Sequence, residues 1–124
     1  MVDRETLRRL VEALPSGHDA STERALTYLV AGKGLAWTWN ERVHPKKPRV
    51  PRLDVLAVRC SFERREMLLD TAPDRFFIDD HYRGYAGVLV RLDAIDEDEM
   101  AGMLEAAWRM VAPKALVKAR DLEG

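Results

Sequence analysis

A basic segment in the middle of the chain has the composition of a loop that could contact phosphates. From residue 33 to residue 59 there are seven basic and two acidic residues, an excess of five positive charges. The candidate phosphate-binding side chains in this segment are Lys33, Arg42, Lys46, Lys47, Arg49 and Arg52. Prolines at positions 45, 48 and 51 recur at every third residue, which is typical of an extended polyproline II segment. Cations on such a stiff loop could contact successive phosphates and release a counterion at each contact.

The same segment also has a purely structural interpretation. Prolines and lysines keep a long hairpin loop soluble and discourage pairing between exposed strand edges. Twenty basic and 21 acidic residues give the whole chain a net charge of −1, so no global field attracts a polyanion. Binding to nucleic acid must therefore depend on this local segment, helped by Trp37 or Trp39 if either indole can stack on a base.

A second candidate is the polar and aromatic turn from Asp79 to Tyr85, which separates two apolar runs. His81, Tyr82 and Arg83 could form a contact surface at its tip, or His81 and Tyr82 could simply close the turn by packing and hydrogen bonding. Three adjacent ligands on one loop make a poor metal site, because metal ions need groups that converge from several directions. We therefore expect no metal here.

Catalysis receives little support from the sequence. Cys60 ends an apolar strand, where a thiol usually behaves as a small hydrophobic group, although a following helix N-terminus would lower its pKa. No GxSxG motif, phosphate-binding glycine loop or dinucleotide fingerprint occurs in the chain. The acidic run from Asp93 to Glu99 could attract cations or a basic partner, but helix capping and the helix dipole already account for its charges. We expect a protein that is not an enzyme and needs no cofactor.

The periodicity of apolar residues predicts an α+β domain with the order α-β-β-β-α-β-β-α. It should be a two-layer fold, with a five-stranded antiparallel sheet and helices mainly on one face. Residues 17–24 are predicted to be a polar link and residues 40–52 a long loop. Alternation places Leu35, Trp37 and Trp39 on one face of a strand, and a helical turn is expected near residue 116. The predicted elements are helices at 3–13, 62–69 and 96–112, with Asp3, Ser61 and Asp96 as their N-caps, and strands at 26–30, 35–39, 53–60, 76–78 and 86–92.

Length and composition predict one soluble domain over residues 1–124. A single cysteine excludes an internal disulfide and fits a reducing compartment. The charged start of the chain lacks the apolar segment of a signal peptide, and no apolar run approaches the length of a membrane span. We expect a cytoplasmic protein with no membrane partner, either a monomer or a weak dimer.

Three segments of the chain are similar to those of a known family of small bacterial proteins. They are RFFIDDHYRGYAGVLVRLD from Arg75, LDVLAVRCSFERREMLL from Leu53 and AWRMVAPK from Ala107. On these segments, and over roughly residues 5–118, the sequence resembles the MmcQ/YjbR family. The resemblance implies a fold like that of type III secretion chaperones and a DNA-binding role through loops that project from the sheet. Many members carry a tryptophan where this chain has Gly87, so a surface built on that aromatic ring would be altered here.

The leading hypothesis is therefore a non-enzymatic binding protein that contacts DNA through the basic segment and the hairpin tip. The alternative is a chaperone-like module that binds a protein through a sheet face or edge and has no nucleic-acid role. Salt dependence distinguishes the two, because phosphate binding weakens steeply with salt and an apolar contact does not.

Overall fold

The computed structural model describes residues 1–123 and contains four α-helices and one antiparallel sheet of six strands. The elements in chain order are α1 (Arg4–Glu12), β1 (Gly17–Asp19), β2 (Thr27–Val30), β3 (Lys33–Glu41), β4 (Val50–Arg59), α2 (Phe62–Thr71), β5 (Phe76–Phe77), β6 (Gly87–Arg91), α3 (Glu97–Val111) and α4 (Lys114–Glu123). A short 3-10 helix spans Asp80–Tyr82. The strand order across the sheet is β1-β2-β3-β4-β6-β5. The α+β class is thus confirmed, and the sheet has six strands rather than the predicted five.

The additional strand is β1, which lies in the segment predicted to be a polar link. It is three residues long and pairs only with β2, from Gly17 opposite Val30 to Asp19 opposite Tyr28. A strand of three residues is too short to show an apolar periodicity in the sequence. It is recognised only by its hydrogen-bonded pairing with β2. The tail also differs, because α4 continues to Glu123 where only one helical turn was expected.

The predicted loop at residues 40–52 is shorter than expected. Strand β3 continues to Glu41 and β4 begins at Val50, so only residues 42–49 lie outside the sheet; we call these residues the basic loop. Pro51 pairs with Asn40 inside the ladder. Strand β4 pairs with β6 only from Val55 onward, so Pro51 has a strand neighbour on one side. A proline is tolerated at such an edge because its missing N–H breaks no pairing there.

All four helices pack on the same face of the sheet. The main hydrophobic core joins Leu7 of α1, Leu68 of α2 and Met103 of α3 to sheet residues such as Leu56 and Val88. Leu116 and Val117 of α4 pack at its margin. A smaller cluster on the opposite face contains Val55, Ala57, Tyr82 and Leu89, with no residue from an α-helix. The prediction of helices on one face agrees with this arrangement.

Leu35 belongs to the helix-side core, whereas Trp37 and Trp39 lie on the other face. The predicted alternation is therefore wrong for Leu35. The pairing of β2 with β3 shifts register between Tyr28 and Leu29, so Leu35 is the extra residue of a bulge. A bulge of this kind turns one side chain out of the period-two pattern.

Each of the first three helices begins at a capping side chain that the sequence predicted. Asp3 accepts a hydrogen bond from the N–H of Thr6 at 2.8 Å, and Ser61 accepts one from the N–H of Arg64 at 3.2 Å. Asp96 accepts from the N–H of Glu99 at 2.7 Å. These bonds satisfy backbone donors that have no partner within the helix, and they fix where each helix starts.

Tyr28 is fully buried and leads to a prediction on alkaline stability. Its hydroxyl has no hydrogen-bond partner among residues 1–123, and burial raises its pKa to about 12 from an ordinary value of 10. Between these pH values the unfolded chain loses the phenolic proton and the folded chain keeps it. The contribution of Tyr28 to the free energy of unfolding is therefore complete below pH 10 and is lost as the pH rises toward 12.

We expect Tyr28→Phe to remove this alkaline loss. The difference from wild type should grow by up to about 1.4 kcal/mol per pH unit above pH 10. At neutral pH the variant should be equally stable or about 1 kcal/mol more stable, because a buried hydroxyl without a partner is removed. Urea unfolding at several pH values, compared between the two proteins, measures the difference. Parallel pH profiles would contradict the assignment.

Candidate nucleic-acid interface

The sheet face opposite the helices is the candidate site, and we call it the open sheet face. No α-helix among residues 1–123 packs on it. Its floor consists of Val55, Ala57 and Leu89, which are buried. Aromatic and arginine side chains surround this floor, namely Trp37, Trp39, Arg59, Phe77, Tyr85 and Arg91. The face therefore combines flat rings with cations, which is the composition that proteins use to bind nucleic-acid strands.

The turn from Asp79 to Tyr85 folds across this face and is held by both strand tryptophans. The indole Nε1 of Trp37 donates a hydrogen bond to the Tyr82 hydroxyl at 2.9 Å. The indole Nε1 of Trp39 donates to Asp79 Oδ2, also at 2.9 Å. Tyr82 is only 6% exposed, and burial raises its pKa against the opposing effect of the Trp37 bond. Tyr82 thus connects the turn to the sheet and does not project into solvent.

Arg65 fixes the same turn from the helix side. Its guanidinium is 3% exposed and has no carboxylate partner among the described residues. Nη1 donates to the carbonyl oxygens of Tyr82 at 2.8 Å, Tyr85 at 2.6 Å and Gly87 at 3.0 Å. Nη2 donates to the carbonyl oxygen of Arg83 at 3.0 Å. One side chain therefore donates hydrogen bonds to four backbone carbonyls in and next to the β5–β6 connection, which has no regular strand pairing of its own.

Two arginines lie over the aromatic rings of the open sheet face. The Arg59 guanidinium carbon is 5.8 Å from the Trp37 ring centroid and 5.6 Å from that of Tyr85. Arg59 Nε also donates to the carbonyl oxygen of Gly34 at 2.8 Å. The Arg91 guanidinium carbon is 4.1 Å from the Phe77 centroid. Ring contacts restrict both groups, and a hydrogen bond also holds Arg59, so little further ordering is needed for them to contact an anion.

The basic loop extends from one end of this face. Arg42 donates to the carbonyl oxygen of Pro45 at 3.1 Å, and Arg49 donates to that of Asn40 at 2.9 Å. Lys46 and Lys47 are exposed. None of these four cations forms an ion pair within residues 1–123. Arg52 differs, because its Nε lies 2.7 Å from a Glu41 carboxylate oxygen.

An open groove of about 430 Å³ lies between the basic loop and the turn from Asp79 to Tyr85. Trp39 and Phe77, whose rings meet edge to face at 5.2 Å, contribute its apolar walls. Its polar lining residues are Glu41, Arg42, Arg49, Asp79, Asp80 and His81. The groove thus carries both cations and carboxylates around two aromatic rings.

The structure brings together only some of the residues that the sequence singled out. Arg42, Arg49 and His81 line one groove, with Lys46 and Lys47 on the loop beside it. Arg83 is exposed and pairs with Asp80 at 2.6 Å. Lys33 lies at the far end of β3, about 30 Å from the basic loop at the usual rise per residue. It therefore lies apart from the other candidates.

Sequence reasoning missed Arg59, Arg65 and Arg91. Arg65 precedes Leu68 by three residues and Leu69 by four, so it lies on the buried side of α2, and this spacing was a usable signal. Arg59 and Arg91 are the last residues of their strands. Each follows a residue of the open sheet face, Ala57 or Leu89, by two positions and therefore points to the same face. That spacing was visible in the sequence, but the aromatic rings beneath the arginines come from other segments.

Two other candidate sites can be described briefly. Cys60 is 2% exposed, and burial raises the pKa of its thiol despite the opposing charges of Arg64 and Arg65. The structure therefore reduces the thiolate fraction there. Within residues 1–123, no three His, Cys, Asp or Glu side chains are grouped closely enough to hold a metal ion. The described helices are also too short or too polar to cross a bilayer.

The fold and face define a small α+β protein with one helix-covered and one open side to its antiparallel sheet. The YjbR family model matches residues 3–110, and the chain belongs to this family, which confirms the resemblance seen in the sequence. A solved structure of Deinococcus radiodurans protein DR2400, with family-model domain DUF419, has the same fold. Its TM-score is 0.66 at 21% identity, over 99% of this chain and 88% of that one.

Curated relatives cover a smaller part of the chain. Uncharacterized proteins of Mycobacterium tuberculosis and Mycobacterium bovis are 39% identical over 70 residues. The match spans 56% of this chain and only 54% of theirs, about half the length of these relatives. The descriptions of these relatives assign no activity to them.

Proposed function

We propose that this protein is a non-enzymatic module that binds single-stranded nucleic acid with the basic loop and the open sheet face. The observation that carries the proposal is the position of the loop. Four cations without ion pairs in the described chain stand beside a groove walled by Trp39 and Phe77. Phosphate contacts would supply affinity, and the aromatic rings would offer a surface for a base.

The carboxylates of the groove indicate how a strand would lie. Glu41, Asp79 and Asp80 would repel a phosphate placed inside the groove. They can instead accept hydrogen bonds from the amino groups of a base. Phosphates would therefore follow Lys46 and Lys47 on the outside of the loop while a base enters the groove and packs against its aromatic wall. A base can enter in this way only when it is free of its complementary strand, which favours single-stranded ligands.

Replacing both lysines in Lys46→Glu/Lys47→Glu should weaken binding of a labelled single-stranded DNA by about tenfold or more. Wild-type affinity should itself fall about 20-fold between about 50 and 200 mM salt, since about three phosphate contacts would each release a counterion. Fluorescence anisotropy measures both effects, with duplex DNA of the same sequence in parallel. Lys114→Glu/Lys118→Glu is the matched control, because it exchanges two exposed lysines of α4 for the same charge change.

Two outcomes would contradict the proposal. One is the absence of binding at low salt by folded wild-type protein. The other is equal weakening by the loop variant and by the α4 control, which would indicate a response to net charge alone. Binding that favours duplex DNA would retain the loop as the site and remove the role given to the aromatic groove. A protein ligand whose affinity does not change with salt would favour the chaperone-like alternative instead.

A further inference from the structure

A second groove lies on the helix side and shares no lining residue with the groove beside the basic loop. It has a volume of about 670 Å³ and runs between the end of α3, the helix α4 and the β2–β3 turn. Its apolar lining residues are Met110, Val111, Ala112, Pro113, Val117 and Leu122. Met110 is 45% exposed and Leu122 is 81% exposed. We call this surface the C-terminal groove.

Basic residues border the C-terminal groove. Lys33, Lys114 and Lys118 are exposed, and none forms an ion pair within residues 1–123. Asp121 is the one acidic side chain among the lining residues, and its carboxylate is already paired with Arg109 at 2.8 Å. An apolar floor with a positively charged border is therefore complementary to a ligand that is apolar on one side and acidic at its margins.

We propose that the C-terminal groove docks an amphipathic, acidic segment of another protein. Lys114 and Lys118 are four residues apart on α4, so both point to the same side, one helical turn from each other. Acidic side chains at a similar spacing on a docked helix could pair with both lysines, while its apolar residues cover Met110 and Leu122. This site is separate from the proposed nucleic-acid interface and does not depend on it.

The way α4 is held to the domain leaves this surface free for a partner. No residue of α4 is fully buried. The helix is fixed by Arg120, which forms a bidentate pair with Glu105 at 2.6 to 3.0 Å and lies 5.4 Å from the Trp108 ring centroid. These contacts use one side of α4 and leave Leu122 uncovered. The groove is open along its length, which suits a peptide helix better than a single acyl chain, since an acyl chain needs enclosure on all sides.

Selection from a displayed library of random peptides tests this proposal directly. Wild-type protein serves as bait, and Lys114→Glu/Lys118→Glu serves to deplete peptides that bind elsewhere. The enriched peptides should combine Asp or Glu with Leu, Phe or Met at helical spacing. A synthesised peptide from this set should bind the depletion variant at least about tenfold more weakly than wild type. Met110→Ser/Leu122→Ser, which changes two exposed side chains, should weaken it similarly.

Lys46→Glu/Lys47→Glu is the matched control and should bind the peptide within about twofold of wild type. This control also separates the two proposals, because failure of DNA binding would leave the peptide result unchanged. The inference is overturned if no peptides are enriched, if they lack an excess of acidic residues, or if both lysine variants bind them equally. It is also overturned if laurate, tested as a single acyl chain, binds and the peptides do not. A wild-type dimer that Lys114→Glu/Lys118→Glu dissociates would overturn it as well.

Discussion

Replacing Arg65 by methionine should lower the free energy of unfolding by about 3–5 kcal/mol. Methionine fills a similar apolar volume but donates no hydrogen bond. The carbonyl oxygens of Arg83 and Gly87 would then lose their donor in a largely buried site, whereas the other two carbonyls bonded to Arg65 would each keep one backbone N–H bond. Each such acceptor costs about 1–3 kcal/mol, and partial access of water to the turn reduces the sum. Urea unfolding followed by circular dichroism measures the loss.

Arg65→Lys is the informative control for this prediction. Lysine keeps the charge but presents its donors from a single nitrogen. It could replace Nη1, which bonds to three of the four carbonyls, but it would leave the carbonyl oxygen of Arg83 without the donor that Nη2 supplies. It should recover part of the stability and leave the variant between wild type and Arg65→Met. If Arg65→Met were as stable as wild type, the carbonyls of the turn would have to find water instead. The stabilising role assigned to the hydrogen bonds of Arg65 would then be wrong.

Trp108→Ala should destabilise the fold by about 3–5 kcal/mol through the cavity that it leaves in the core. Trp108 is fully buried on α3, and its Nε1 donates to the carbonyl oxygen of Pro15 at 2.8 Å. That bond ties α3 to the corner between α1 and β1. The corner itself is tight, because a Cβ atom at Gly17 would lie 1.9 Å from the carbonyl oxygen of Val11. Loss of the indole therefore removes packing from the core and releases the corner around Gly17. At that position any other residue type would require the backbone to move.

Trp108→Phe separates the two contributions. Phenylalanine keeps much of the apolar volume and loses the bond to Pro15, so a smaller loss of about 1–2 kcal/mol is expected. The midpoint of urea unfolding at constant slope gives both values. Equal losses in the alanine and phenylalanine variants would show that the hydrogen bond dominates. A loss below about 1 kcal/mol in the alanine variant would contradict the assigned role in the core.

The elements that the sequence predicted well are those whose signals are local. Asp3, Ser61 and Asp96 begin their helices as expected, because a cap is decided by a few neighbouring residues. The hairpin of β5 and β6 and the buried central strand β4 also follow from short apolar runs. Strand β1 and the helix α4 were missed or underestimated, since a three-residue edge and a weakly buried helix depend on contacts with distant parts of the chain.

The candidate site was only partly predictable for the same reason. The charge of the basic loop is a property of composition, so the sequence revealed Lys46, Lys47 and Arg49 directly. Register in the sheet then decided which of the candidates share a surface. It placed Lys33 at the opposite end of β3 and turned Tyr82 inward to accept the Trp37 bond. The role of Arg65 also depends on a turn about twenty residues away.

The sequence by itself determined the α+β class, the family, the helix starts and the location of the basic loop, because each depends on neighbouring residues. The tertiary structure alone decided that the aromatic rings and arginines of β3, β4, β5 and β6 meet on one uncovered face. It also decided that Lys33 joins the lysines of α4 around an apolar groove. Both surfaces combine residues far apart in the chain, and only strand pairing and helix packing bring them together.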